Sequence, residues 1–425
     1  MFEIKNHNLY MDGVSTVELA NQFGTPLYVY SEDKILANLK EIKNAFLSKY
    51  ENSHAAFACK AFCTKYICRL LDQEGFWLDV VSGGELYTAM SVNFPANRIE
   101  FNGNNKSIEE IKLALNYGVN RFVVDSVSEF FTLEQICKQM GRSANILFRI
   151  TPNVSANTHD YISTGKKDSK FGIPLNEMIL FPLIEKAIHS EVLNFLGFHF
   201  HVGSQLHETQ THLSALEVIL ELMLTTKMKF NHTIEDFNFG GGFGVKYTEA
   251  DQPLGISDFV DPIMARLTEF CEANNIDRPH VSMEPGRFIV GEAGIQLYSI
   301  GTIKEIPEIK TYLSVDGGMT DNIRPGLYGA RYTALLANKA DLNATEVVDI
   351  SGKCCESTDI LIKSLQLPPA EAGDILAVFS TGAYGYSMAN NYNKLPIPPV
   401  VVISEGEPKL IVRGQTYEEM ISREL

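Results

Sequence analysis

A chain of 425 residues is too long for one small core, and 45% apolar with 21% charged residues is ordinary globular composition, so two domains are expected. A formal net charge of −16 argues against nucleic acid and against an anionic membrane as partners. The opening Met-Phe-Glu-Ile-Lys-Asn-His-Asn lacks a signal-peptide pattern, no apolar run reaches spanning length, and seven cysteines without metal-type CxxC pairs fit reduced thiols in a cytoplasm.

Residues 1 to about 27 give strand-like pieces at Leu9–Gly13 and Pro26–Tyr30 around a short helix, and another helix follows near 32–48. Apolar strands then recur at about 54–59, 77–81, 98–102, 121–125, 145–150, 195–201, 235–240 and 279–284. Amphipathic stretches such as Ile108–Leu115, with apolar residues at helical period, lie between them. Eight strands alternating with helices is the count of a TIM-type (β/α)8 barrel; an open doubly wound sheet is the alternative. The helical pattern stops near 290, and Val/Ile/Tyr-rich strands broken by Gly and Pro follow at 312–315, 344–350, 375–379 and 400–403. The expected fold is therefore α/β, with a barrel over 28–286 and a mostly β domain from 1–27 and 287–425.

Barrel enzymes carry their chemistry at the C-terminal ends of the strands, and the unusual residues of this chain gather there. Lys60 ends the first strand, either as a lysine snorkelling at a strand end or as a desolvated amine that forms a Schiff base with a carbonyl cofactor. Asp79 closes the second strand, Arg149 the fifth and His201 the sixth. His199 shares a strand face with His201 and reads as a core histidine, whereas His201, beside Val-Gly-Ser204-Gln, suits stacking on a flat ring. The seventh strand runs into Gly240-Gly241-Gly242-Phe-Gly, a tight turn or a backbone nest for an anion, which Gly286 would complete. Glu284 reads as a salt-bridge partner of Arg287 or as the carboxylate for a pyridinium nitrogen. In the β domain, Arg324 and Tyr328 can hold a carboxylate by fork and hydroxyl, Cys355 can donate a proton, and Tyr384 offers an aromatic face from a glycine-rich turn. Cys354 reads as buried ballast. No metal site is expected.

These motifs together resemble the fold-type III pyridoxal-phosphate decarboxylases, and within them the diaminopimelate decarboxylases. The carriers span nearly the whole chain: Phe57-Ala-Cys-Lys60, Tyr161-Ile-Ser-Thr-Gly165, Ser169-Lys-Phe-Gly172, His201-Val-Gly-Ser-Gln205, Gly240–Gly244, Glu284-Pro-Gly-Arg287, Cys355-Glu-Ser357 and Gly382-Ala-Tyr384. The resemblance implies pyridoxal 5'-phosphate as cofactor, held covalently by Lys60, stacked by His201, bound through its phosphate by Ser204, Gly240, Gly241, Gly242 and Gly286, and through its ring nitrogen by Glu284, with Asp79 and Tyr384 also at the cofactor. It further implies an amino-acid substrate whose distal carboxylate meets Arg287, Arg324 and Tyr328. Cys355, Glu356 and Tyr384 would then act at the interface of a homodimer with shared active sites. Where the family's Asn-Tyr-Asn segment usually continues to Arg-Pro, this chain reads Asn391-Tyr-Asn-Lys-Leu-Pro396, a departure near Tyr392. Rival readings are a sister decarboxylase of ornithine, arginine or carboxynorspermidine, to which two arginines would be of no use, and a non-catalytic regulatory homologue, which would have lost the lysine or the glycines.

Overall fold

Parallel strands covered on both faces read as continuous apolar runs, and the eight such runs of this chain pair side by side. The computed structural model describes residues 1–154 and 169–425. Its barrel strands are β1 (Ser53–Ala58), β2 (Trp77–Val80), β3 (Ile99–Phe101), β4 (Arg121–Val124), β5 (Ala144–Thr151), β6 (Leu193–His199), β7 (Asp236–Asn238) and β8 (His280–Met283). Each pairs in parallel with the next, and β8 pairs back onto β1, which closes the ring. The open sheet is thereby excluded.

Local chemistry sets the strand-to-helix turns. Ser82, Ser107 and Ser126 each cap the helix that follows, their hydroxyls accepting the amides of Glu85, Glu110 and Glu129. The helix Ile108–Tyr117 carries a full capping box and stops at Gly118, whose φ of 94° only glycine adopts freely.

The chain divides into two units, one of Lys40–Gly244 with Pro253–Gly286, the other of Met1–Leu39, Val245–Gln252 and Arg287–Leu425. In the second, the long strand Gly294–Ile306 pairs antiparallel with Leu27–Ser31, Lys310–Val315 and Ile375–Val378, and Val400–Ser404 joins Leu27–Ser31 in parallel. Tyr298, Leu313, Ile350 and Leu376 belong to one buried cluster of this unit, and Leu9, Val29, Leu297 and Val401 to another.

The expected boundary at residue 28 moves. Leu27–Ser31 is a wholly buried central strand of the β unit, and beyond it Asn38 donates to the carbonyls of Phe288 and Ile289 at 3.0 and 2.9 Å. No described helix is long and apolar enough to cross a membrane.

Candidate active site

β1 ends at Ala58, and Lys60 sits just beyond it in the short 3-10 turn Cys59–Ala61, solvent-exposed. The desolvated amine expected from the sequence is thus corrected: the buried run ends before the lysine. Lys60 instead acts on buried neighbours through space, its charge favouring ionisation of Asp79 and Glu284 and opposing that of His201.

Glu284, directly after β8, is 7% exposed and is the centre of a row of acids. Its Oε1 accepts from Asn102 Nδ2 at 2.9 Å and from Asn238 Nδ2 at 3.0 Å. His199 Nε2 stands 2.9 Å from the same oxygen but out of line for a hydrogen bond, so that contact is electrostatic. Asn102 also donates to Asp79 Oδ1 at 2.7 Å, and Asn238 to Glu100 at 3.2 Å. Burial pushes the Asp79 carboxyl up to about 8, with the Glu284 charge adding to it, and raises Glu100 well above its ordinary value. Burial opposes ionisation of Glu284 too, but His199, His201 and Lys60 outweigh it and hold this carboxyl far below the usual range.

His201 lies half-buried past the end of β6. Its Nδ1 accepts the Gly241 amide at 3.2 Å, which leaves the ring proton on Nε2. Desolvation, with the Lys60 and Arg149 charges, holds the imidazole well below its ordinary pKa, so the ring is neutral. Gly240 and Gly242 have φ of 71° and 100°, and a Cβ on either would fall 2.5 Å from a backbone oxygen, of Phe200 and Gly203 respectively. The glycines therefore serve first to lay this turn on the strand ends. The Gly240 amide donates to Asn238 Oδ1 at 2.8 Å and the Gly241 amide to His201, so neither is open to a phosphate as the simple nest required. The Gly242 amide has no partner among the described residues. Ser204 is half-buried in the loop after His201. Gly286 packs against the lysine turn: a Cβ there would meet those of Ala58 and Ala61 at 3.0 and 3.2 Å.

Arg149 at the end of β5 pairs with Asp125 at 3.6 Å and lies 4.4 Å over the Phe171 ring. Asp125 also accepts the Gly172 amide at 2.9 Å, which ties the Ser169–Gly172 motif to the barrel. Tyr161–Gly165 falls outside the described residues.

In the β unit, two buried arginines surround one tyrosine. Arg287 donates to the Tyr247 hydroxyl, and Arg324 to that of Tyr332. The Arg324 guanidinium lies 4.9 Å from the Tyr247 ring centroid, and that of Arg287 lies 4.7 Å from the Tyr384 ring. Tyr384 takes φ 61°, a conformation a non-glycine residue keeps only where its surroundings hold it. Burial pushes the Tyr332 phenol up to about 12 despite Arg324, so it stays neutral and leaves the arginine's charge uncompensated. No aspartate or glutamate pairs with Arg324 among the described residues. The tyrosine that meets Arg324 is Tyr332; Tyr328 is half-buried on the short helix Arg324–Tyr328. Cys355 is the exposed member of seven free cysteines, and Cys354 is buried. The Cys355 amide donates to Asn393 Oδ1 at 2.7 Å, and Glu356 is exposed and folds back on Thr358.

Sequence reasoning missed Asn102, Asn238, Tyr247 and Tyr332; His199, expected as a core histidine, is buried at 1% exposure and stands against Glu284. Asn102 and Asn238 had a legible signal, a polar amide ending an apolar strand. Tyr247 and Tyr332 had none.

The family model for the pyridoxal binding domain of pyridoxal-dependent decarboxylases matches residues 32–291. The chain is 46% identical over 418 residues to the diaminopimelate decarboxylase of Bacillus subtilis, covering 98% of this chain and 95% of that protein. The crystal structure of M. jannaschii diaminopimelate decarboxylase in complex with L-lysine matches with a TM-score of 0.94 at 37% identity, over 100% of this chain and 98% of that one. Lysine/ornithine decarboxylase of Vibrio vulnificus complexed with putrescine matches less well, with a TM-score of 0.77 at 25% identity over 92% and 98%. The chain belongs to the diaminopimelate decarboxylase family of pyridoxal-dependent decarboxylases.

Proposed function

We propose that this enzyme removes one carboxylate of meso-2,6-diaminopimelate as carbon dioxide and releases L-lysine, the last step of lysine biosynthesis, with pyridoxal phosphate at the barrel mouth and a homodimer completing each site. The observation that carries the choice of substrate is Arg324, 7% exposed, with phenols around it and no carboxylate partner among the described residues. A second carboxylate on the substrate is the group such a site lacks. Ornithine, arginine and carboxynorspermidine do not bring one there. Lys60 and the turn glycines, all present, speak against a non-catalytic homologue.

The residues present fit the cofactor. Lys60 would hold it covalently, and its exposure leaves the amine accessible. Glu284 Oε2 lies outside the three contacts that fix Oε1, so it can face a ring nitrogen. The Gly242 amide, Ser204 and Gly286 would take the phosphate. Bound there, pyridoxal phosphate supplies an electron sink for the pair left behind when the carboxylate departs.

The protein's own part follows from its electrostatics. Glu284, kept ionised by its neighbours, would hold a proton on the ring nitrogen of the bound cofactor. Neutral His201, fixed through Gly241, would cover the ring without adding charge. Arg287 and Arg324 bind the carboxylate that remains, and Cys355 returns a proton to Cα. Release of carbon dioxide from meso-diaminopimelate, set against L-ornithine, L-arginine and carboxynorspermidine, tests the reading. Turnover of meso-diaminopimelate to L-lysine is expected, and faster turnover of any of the others would overturn it.

A further inference from the structure

Three buried carboxyls cannot all ionise cheaply in one barrel, so something must decide which of them carries the charge. Asp79, Glu284 and Glu100 are 2%, 7% and 0% exposed and follow one another through two amides. Asn102 stands between Asp79 and Glu284, and Asn238 between Glu284 and Glu100. An amide NH2 has two hydrogens, and here each nitrogen gives one to either side. The Gly240 amide donates to Asn238 Oδ1 at 2.8 Å, so Asn238 can only turn its nitrogen toward the acids. Glu284 thus receives an amide hydrogen from both sides, and each outer acid receives one. Both arrive at Oε1, where His199 also stands, and Oε2 takes no part.

We propose that Asn102 and Asn238 are positioning residues, a two-sided amide bridge that confines the negative charge of this row to Glu284 and keeps its Oε2 for the cofactor's ring nitrogen. The bridge rests on the proposed cofactor reading. His199, His201 and Lys60 also favour ionisation of Glu284, but none of the charges around the row hydrogen-bonds two of its acids at once, as each amide does. Arg121 reaches Glu100 at 3.5 Å, but its closer partner is Asp236. His54, 3.9 Å from Glu100, is held neutral by burial and by Arg121. Lys60, on the other side, acts on Asp79 and Glu284 alike. Burial raises the Asp79 and Glu100 carboxyls, and the charge held on Glu284 adds to both.

The test is nitrogen-15 NMR of holoenzyme reconstituted with ring-labelled pyridoxal phosphate, which reads protonation of the ring nitrogen directly. Wild type should keep the nitrogen protonated through neutral pH. Asn102→Ala and Asn238→Ala remove the donor with the smallest side chain; Asn102→Leu and Asn238→Leu remove it at nearly constant volume, and none of the four adds charge. In each, loss of a hydrogen bond to a charged group should lower the nitrogen's midpoint by about one pH unit, roughly a tenfold loss of the protonated form. If one pair of variants fails to fold, the other reads the same signal. A protonated wild type with unchanged variants would overturn the bridge alone. A wild-type nitrogen already unprotonated would remove the Glu284 reading, and the bridge with it.

Discussion

The end of the barrel and the core of the β unit solve opposite electrostatic problems. In the barrel, the acids Asp79, Glu100 and Glu284 meet amide donors, a histidine and the field of Lys60, so its polar groups largely compensate one another. In the β unit, Arg324 meets phenols and aromatic faces and, among the described residues, no carboxylate, while Arg287 stands on the Tyr247 hydroxyl and the Tyr384 ring. A buried charge left unpaired costs roughly several kcal/mol, a cost that an incoming anion offsets. On the proposed reading, the first region would hold a cofactor and keep its electronics constant, and the second would be completed by substrate. Chemistry and selection are thereby given to different residues, and each can be attacked separately.

The largest effect is expected from the chemical side. Lys60→Ala should reduce decarboxylation to background, and borohydride treatment of the wild-type holoenzyme should leave a reduced adduct that mass spectrometry maps to Lys60. An adduct on Lys65 or Lys170 would break the assignment of the barrel end. Next comes the proposed sharing of sites between subunits. Lys60→Ala and Cys355→Ala proteins, each inactive, are mixed and allowed to exchange. Random pairing makes roughly half the dimers mixed, each with one intact site, so about a quarter of wild-type activity should return. A mixture that stays inactive, with exchange demonstrated separately, would place both residues of a site on one chain.

Much of this contrast was legible before any coordinates. The eight barrel strands stand out because parallel strands are apolar without interruption, and all eight lie within a few residues of their expected spans. The entry into the barrel was not legible, because Leu27–Ser31 is as apolar as a barrel strand and only its antiparallel pairing to Gly294–Ile306 assigns it to the other sheet. Lys60, Glu284 and His201 announce themselves as charged or polar groups ending buried runs. Asn102 and Asn238 do so more faintly, since an amide costs less to bury and its two-sided bonding is a property of the closed ring. Tyr247 lies in a stretch, Val245–Gln252, that belongs to the β unit although its neighbours in sequence do not. Nothing in its local pattern points to Arg287 or Arg324. Tyr332, which accepts from Arg324, lies beyond the short helix Arg324–Tyr328, and nothing in its local pattern marks it as that partner.

A smaller effect probes the compensation within the barrel. Asp79 titrates near 8 in the folded chain and near 3.9 when unfolded, as ordinary aspartates do. Between those values the folded state holds more protons, so this group makes stability fall as pH rises. In Asp79→Asn the term vanishes, and the Tm of the cofactor-free protein should decline less steeply from pH 5 to 8 than in wild type. Equal slopes would show that Asp79 is ionised throughout and that the row of acids is not sharing one charge.

The division between chemistry and selection is tested most directly by the steady-state kinetics of Arg324→Lys with meso-diaminopimelate. Lysine keeps the charge and loses the planar fork, so the bound carboxylate loses about one charge-assisted hydrogen bond, roughly 1.5–3 kcal/mol. If Arg324 only binds, that loss is shared by ground state and transition state, and KM should rise about tenfold or more with kcat near wild type. A fallen kcat with unchanged KM would contradict the account, because Arg324 would then belong to the chemistry that the barrel is held to perform.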